Sequence, residues 1–200
     1  EKLEEAVFLL AETREELGQE ESWQYDMQDL LRQVLNNRAC GLALEARDAW
    51  REGRISDYRE KTEAFFTLFD ACEGLMSIRK DTTLGDWLNY AKESGRPYGE
   101  ETERLFVRDA KMLITTWAGE KTYGSLADYA YRQYDGLLGQ YYRPRWEKFF
   151  REMREISDSE WYQMAQEFLL KEDFEEQGDT DRPDPIRQID QTLKLLQKTE

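Results

Sequence analysis

Trp117 and Tyr129 are the two residues of this chain whose types and placement suit recognition chemistry. Trp117 closes an apolar helical run and is followed by Ala118-Gly119 and a polar loop, so its ring falls at a boundary rather than in mid-core. Sugars present flat C–H faces that stack on an indole, while their hydroxyls need nearby donors and acceptors. Tyr129 stands one turn into the next expected helix, close enough in sequence to share a wall with Trp117. The same two rings would also serve to pack the corner of a helical bundle. Both belong to Thr115–Phe150, TTWAGEKTYGSLADYAYRQYDGLLGQYYRPRWEKFF, which holds ten aromatic residues in 36 positions. Helices that need only a core draw on Leu, Ile and Val. Trp and Tyr add a polar tip to an apolar body, which suits a surface half dry and half hydrogen-bonded. A domain interface or the wall of a sugar pocket fits that description.

Other chemistries are sparse. Paired carboxylates recur at Glu4-Glu5, Glu15-Glu16, Glu100-Glu101 and Glu175-Glu176. A glycosidase needs two carboxylates about 5–10 Å apart across a sugar bond, but 43 acidic residues guarantee chance pairs on any fold. Each reads first as a surface pair, and none is singled out as catalytic. The chain has no histidine, which removes Ser-His-Asp triads, Cys-His pairs, HExxH sites and di-iron sites of the Glu-x-x-His kind. Cys40 and Cys72 are the only cysteines, too few for a zinc site. Each sits in an apolar helical stretch, so two buried thiols are expected, with a disulfide only if their helices face each other. No phosphate loop or dinucleotide fingerprint occurs, and no cofactor or metal is expected. A formal charge of −15 repels phosphate backbones and argues against nucleic-acid binding. No apolar run approaches the ~20 residues that span a bilayer. The chain opens at Glu1 without a methionine and reads as a fragment of something longer.

The elements that must hold Trp117 and Tyr129 all read as helix. Leu3, Val7, Leu10 and Ala11 share a face that ends near Gly18. A long stripe from about Tyr25 to Gly53 and a second, capped at Ser56 and running to about Arg79, form an antiparallel hairpin. Thr83-x-x-Asp86 opens a short helix that Ser94-Gly-Arg-Pro97 breaks. A helix over about Glu100–Thr116 buries Leu105, Phe106, Ala110, Leu113 and Ile114. The loop Trp117–Gly124 leads to a capping box, Ser125-x-x-Asp128, that opens a sixth helix in which Pro144 forces a kink or break. Ser157-x-x-Glu160 starts a helix through Trp161, Met164, Phe168 and Leu169. QGDTDRPDP at Gln177–Pro185 is a linker, and Pro185 begins a last helix. Strand patterns are absent, and no 34-residue repeat emerges. The expected fold is all-α, a single bundle of about seven or eight antiparallel helices. Residues 1–176 form the domain, 177–185 the linker and 186–200 a C-terminal helix packed on the same domain.

The pattern TTW-x-G, then S-L-x-D-Y-A, then G-L-x-x-x-Y-Y-x-P-R-W-x-x-F resembles the C-terminal helical domain of the α-N-acetylglucosaminidases, glycoside hydrolase family 89. The matching residues are Trp117, Asp128, Tyr129, Ala130, Gly136, Leu137, Tyr141, Tyr142, Pro144, Arg145, Trp146 and Phe149. YDMQDLLRQVL at Tyr25–Leu35 and LGDWLNYAK at Leu84–Lys92 extend the likeness to roughly residues 20–155. The chain departs from the family at Ala118-Gly119, where Gly-Pro often stands in a shorter loop, and at Lys111, where arginine is frequent.

The resemblance implies an exo-acting retaining glycosidase that removes terminal α-linked N-acetylglucosamine. Its two catalytic glutamates lie on a (β/α)₈ barrel preceding the helical domain, so no catalytic role passes to this chain. The implied partners are that barrel, within the same polypeptide, and the terminal α-linked N-acetylglucosamine glycan. The implied location is extracytoplasmic: periplasmic, secreted or lysosomal. Trp117, Leu126 and Tyr129 would line one side of the cleft, with Trp117 stacking on the sugar or walling it off, Leu126 giving apolar shape and Tyr129 offering a hydroxyl. A non-catalytic module whose aromatics bind a protein partner is the competing expectation, and an independent carbohydrate-binding module the third.

Overall fold

The computed structural model describes residues 2–117, 123–171 and 182–198. Among them ten α-helices form: α1 Lys2–Glu12, α2 Arg14–Leu17, α3 Glu21–Arg51, α4 Ile55–Met76, α5 Leu84–Gly95, α6 Glu100–Leu113, α7 Tyr123–Leu126, α8 Arg143–Glu152, α9 Asp158–Leu170 and α10 Pro185–Lys198. The all-α expectation holds. No strand forms among the described residues, and one isolated parallel bridge joins Thr83 to Asp135. Among the described residues no helix is long and apolar enough to cross a membrane. The expected linker falls mostly outside the described residues, as do positions 118–122 of the expected loop after Trp117.

The helices sort into two compact units, Glu1–Ile78 with Arg182–Glu200, and Arg79–Asp181. The first is built on the α3–α4 hairpin. Trp23, Met27, Leu31, Val34 and Leu35 recur every three or four residues on α3 and are all buried. Further along, the stripe shrinks to Ala39, Ala43, Ala46 and Ala49, while α4 supplies bulk through Phe65, Leu68 and Phe69. Gln28 donates to the Leu75 carbonyl at 3.0 Å and Lys61 pairs with Glu45 at 2.9 Å, which fixes the antiparallel register. The helix α10 packs in this unit, where Asp190 meets Arg14 at 2.6 Å and the Leu196 carbonyl accepts from Arg38 at 2.7 Å.

Two sequence expectations fail here. Ser56 does not cap α4, which starts at Ile55 behind an Arg54 with no side-chain cap. Gly53, at φ +73°, makes the turn, and the Arg54 guanidinium bonds both Glu52 and Asp57 across it. Cys40 is not buried: it lies on the outer side of α3, whereas Cys72 faces the core, and the two thiols are free. Burial pushes the Cys72 thiol up to about 12. Only the thiolate attacks an alkylating agent. Iodoacetamide at pH 8 is therefore expected to modify Cys40 and spare Cys72 in the folded protein. After denaturation both should react, as peptide mass spectrometry would show.

The second unit has its own core of Leu84 and Leu88 on α5, Ala110 and Ile114 at the end of α6, Leu137 and Tyr141, and Phe168 and Leu169 on α9. The expectation that α6 buries Leu105, Phe106 and Leu113 is not met, since all three are exposed. The buried line runs one notch further round the helix, through Ala110, Lys111 and Ile114. Lys111 is admitted because its ammonium donates to the carbonyls of Phe168, at 3.3 Å, and Lys171, at 2.5 Å, closing the C-terminal end of α9. Its charge also lies 5.1 Å from the Phe168 ring centroid. Burial, and secondarily the charge of Lys171, lowers its pKa.

The expected sixth helix does not form from the Ser125–Asp128 box. Helix α7 stops at Leu126, and residues 127–134 run without helical structure. Asp128 and Tyr131 turn left-handed, at φ +58° and +47°, and the Asp128 carboxylate is used elsewhere. Helicity resumes as a π-helical turn, Leu138–Tyr142, leading into α8. Pro144 lies in the first turn of α8, directly after that π-helical turn. The Ser157–Glu160 box at the start of α9 forms in full.

Candidate functional site

Trp117 sits just past the end of α6, which unwinds through Ile114–Thr116. Its backbone is left-handed at φ +56°, and its N–H returns to the Met112 carbonyl at 2.9 Å. An aromatic residue rarely adopts that conformation. The turn expels the indole from the helix axis, leaving it 43% exposed at the unit's surface. Tyr129 is 69% exposed, and its ring centroid is 5.6 Å from that of Trp117, tilted by 48°. The structure thus brings together the two aromatics singled out from sequence. Leu126, the third predicted residue, is half-buried at the end of α7, three positions from Tyr129, whose N–H donates to the Leu126 carbonyl at 3.3 Å.

The residue between them does the joining. The Asp128 N–H donates to the Thr115 carbonyl at 2.7 Å, tying the segment that bears Tyr129 to the turn that bears Trp117. The Asp128 carboxylate accepts from Arg145 on α8 at 2.7 Å. The guanidinium carbon of Arg145 stands 4.8 Å from the Tyr141 ring centroid, 5.7 Å from that of Tyr142 and 5.3 Å from that of Trp161. A planar cation among three rings gains cation–π attraction while its edge stays free for a carboxylate. Burial, and then the Asp128 charge, pushes the Tyr142 phenol well above its usual range, so it stays protonated as a donor facing that carboxylate. Sequence reasoning matched Asp128 and Arg145 to a family pattern, but gave Asp128 only a helix-capping role and Arg145 none. The Pro-Arg-Trp triplet was the available signal, yet an ion pair seventeen residues apart, across a non-helical segment and a π-helical turn, leaves no periodic trace.

The far end of the 127–137 segment is pinned as well. The Leu84 N–H donates to the Asp135 carbonyl at 2.8 Å and the Asp135 N–H to the Thr82 carbonyl at 3.0 Å. Gly136 then turns at φ +79°, and a Cβ there would meet that of Leu84 at 3.3 Å. Thr83, between the bridging residues, accepts from the Asp86 N–H at 3.4 Å and donates to the Asp86 carboxylate at 2.5 Å, capping α5. Thr83→Ala is expected to cost about 1 kcal/mol of stability, visible as a lowered urea midpoint with an unchanged slope.

The arrangement can offer a sugar an indole face, a phenol hydroxyl and a fixed wall. Among the described residues no group of three acidic or thiol side chains could bind a metal.

Residues 1–196 match the family model described as the α-N-acetylglucosaminidase (NAGLU) C-terminal domain. A human protein named α-N-acetylglucosaminidase is 27% identical over 146 residues, covering 72% of this chain and 19% of its own length. Among solved structures, a family 89 glycoside hydrolase from Clostridium perfringens bound to its substrate GlcNAc-α-1,4-galactose superposes with a TM-score of 0.87 at 24% identity. A family 89 glycoside hydrolase from the same organism in complex with 2-acetamido-1,2-dideoxynojirimycin gives 0.86 at 23%. Each match covers 98% of this chain and 23% of the other, so the fold is shared along nearly all of it. The chain spans about a fifth of the length of the human relative and about a quarter of the bacterial ones. With nearly every residue covered by the family model, this chain belongs to the α-N-acetylglucosaminidase C-terminal domain family.

Proposed function

We propose that this chain is the helical accessory domain of an exo-acting retaining α-N-acetylglucosaminidase. It closes one side of the active-site cleft of a catalytic barrel in the same polypeptide, with Trp117, Leu126 and Tyr129 toward the terminal N-acetylglucosamine. The observation that carries this reading is the exposed Trp117–Tyr129 pair, held at 5.6 Å on a surface built around two left-handed turns. Rings that served only a bundle corner would be buried within it, not presented outward. Leu105, Phe106 and Leu113 on α6 are exposed as well, and exposed apolar side chains suit a covering domain.

The division of labour follows from the residues. Retaining hydrolysis needs two carboxyl groups about 5–5.5 Å apart on either side of the anomeric carbon. The barrel supplies those, and this domain supplies shape, stacking and exclusion of water. The test is the enzyme that contains this domain, supplied with an aryl α-N-acetylglucosaminide and followed by proton NMR. Release of the α-anomer of N-acetylglucosamine is expected first. Prompt release of the β-anomer, or no hydrolysis of aryl and natural α-N-acetylglucosaminides, would overturn the reading.

A further inference from the structure

We propose that Arg145 is a positioning residue: through Asp128 it fixes the placement of the Trp117–Tyr129 pair. The claim that this matters for sugar turnover rests on the function proposed above; the claim about placement does not. Three non-glycine residues around the pair, Trp117, Asp128 and Tyr131, adopt left-handed backbone, at φ +56°, +58° and +47°. Such residues persist only where the surroundings over-determine them. Asp128 is where those constraints meet. Its N–H reaches the turn of Trp117 through the Thr115 carbonyl, and its carboxylate reaches α8 through Arg145, both at 2.7 Å. Tyr129 is its direct neighbour, so rotation at Asp128 swings that ring away from the indole.

Arg145 is itself held by geometry that only a guanidinium satisfies. It lies 4.8–5.7 Å from the ring centroids of Tyr141, Tyr142 and Trp161, which come from the π-helical turn and α9. Arg145→Lys keeps the charge but cannot stack as a plane and donate at its edge together. Asp128→Asn keeps the size and the tolerance for left-handed backbone but weakens the bond to Arg145. The second change is the milder, and it keeps the proposal open to test should the first fail to fold.

The experiment labels the enzyme that contains this domain with 5-fluorotryptophan. The Trp117 resonance is identified by its loss in Trp117→Phe. In Arg145→Lys and Asp128→Asn that resonance is expected to shift or broaden. In the same variants kcat/KM on the aryl α-N-acetylglucosaminide should fall about tenfold, since small misplacements at a reacting site are costly. Combining Arg145→Lys with Trp117→Ala should cost no more than Trp117→Ala alone, because the arginine acts through the ring. A Trp117 resonance unchanged in both variants would overturn the proposal, as would kinetic losses that add to that of Trp117→Ala. A moved resonance with a kinetically silent Trp117→Ala would sustain the placement by Arg145 and defeat the sugar-facing function instead.

Discussion

Replacing Trp117 with alanine in the enzyme that contains this domain is expected to lower kcat/KM on an aryl α-N-acetylglucosaminide about thirtyfold. The glycosyl ring gains positive charge as the bond breaks. An indole face close to such a cation in a desolvated site contributes about 2 kcal/mol, and each 1.36 kcal/mol is about a tenfold change in rate. Because the charge exists only in the transition state, the loss should fall mainly on kcat rather than on KM. Stability should hardly change, since the ring is 43% exposed and the alanine inherits the same left-handed backbone. Tyr129→Phe removes only a hydroxyl and should cost less. A Trp117→Ala enzyme with unchanged kcat/KM would make this domain a buttress rather than a wall.

Gly95→Val is expected to produce the largest loss of stability, about 3 kcal/mol. Gly95 needs no special torsion, its φ being −82°. What it needs is room. A Cβ built there would stand 2.7 Å from the Glu103 Cα and 3.0 Å from the Glu103 nitrogen and the Thr102 oxygen. Those are main-chain atoms of α6, which cannot swing aside as a side chain would. The helices must separate, and both support the site: α6 carries Trp117 at its end, and α5 is capped by Thr83, which bridges to Asp135. Urea unfolding followed by circular dichroism measures the loss, and Gly95→Ala should give a smaller one. An unchanged midpoint for Gly95→Val would contradict the close approach of α5 and α6.

What the sequence revealed and what it hid divide along physical lines. Periodic burial exposed the α3–α4 hairpin, since Met27, Leu31, Val34 and Leu35 obey a rule that depends only on helix geometry. Local capping exposed the starts of α5 and α9 at Thr83 and Ser157, because each cap bonds within three residues. The sixth helix was misread because Ser125 and Asp128 have capping types and spacing, while the Asp128 carboxylate is claimed by Arg145 seventeen residues away. The buried face of α6 was misplaced for a similar reason. Lys111 looks like a surface residue until the carbonyls of Phe168 and Lys171 come to meet it. At the site, Trp117 and Tyr129 were legible as residue types at a helix boundary. Their joint exposure and the clamp beneath them depend on non-local bonds and left-handed turns, which no spacing rule encodes.

The most direct measurement is a crystal structure of the enzyme that contains this domain with N-acetylglucosamine bound. The account predicts the indole face of Trp117 within about 4 Å of the sugar's ring carbons, with Tyr129 at the rim of the same cleft. A sugar bound far from both rings, with the pair facing solvent or another protein, would contradict it.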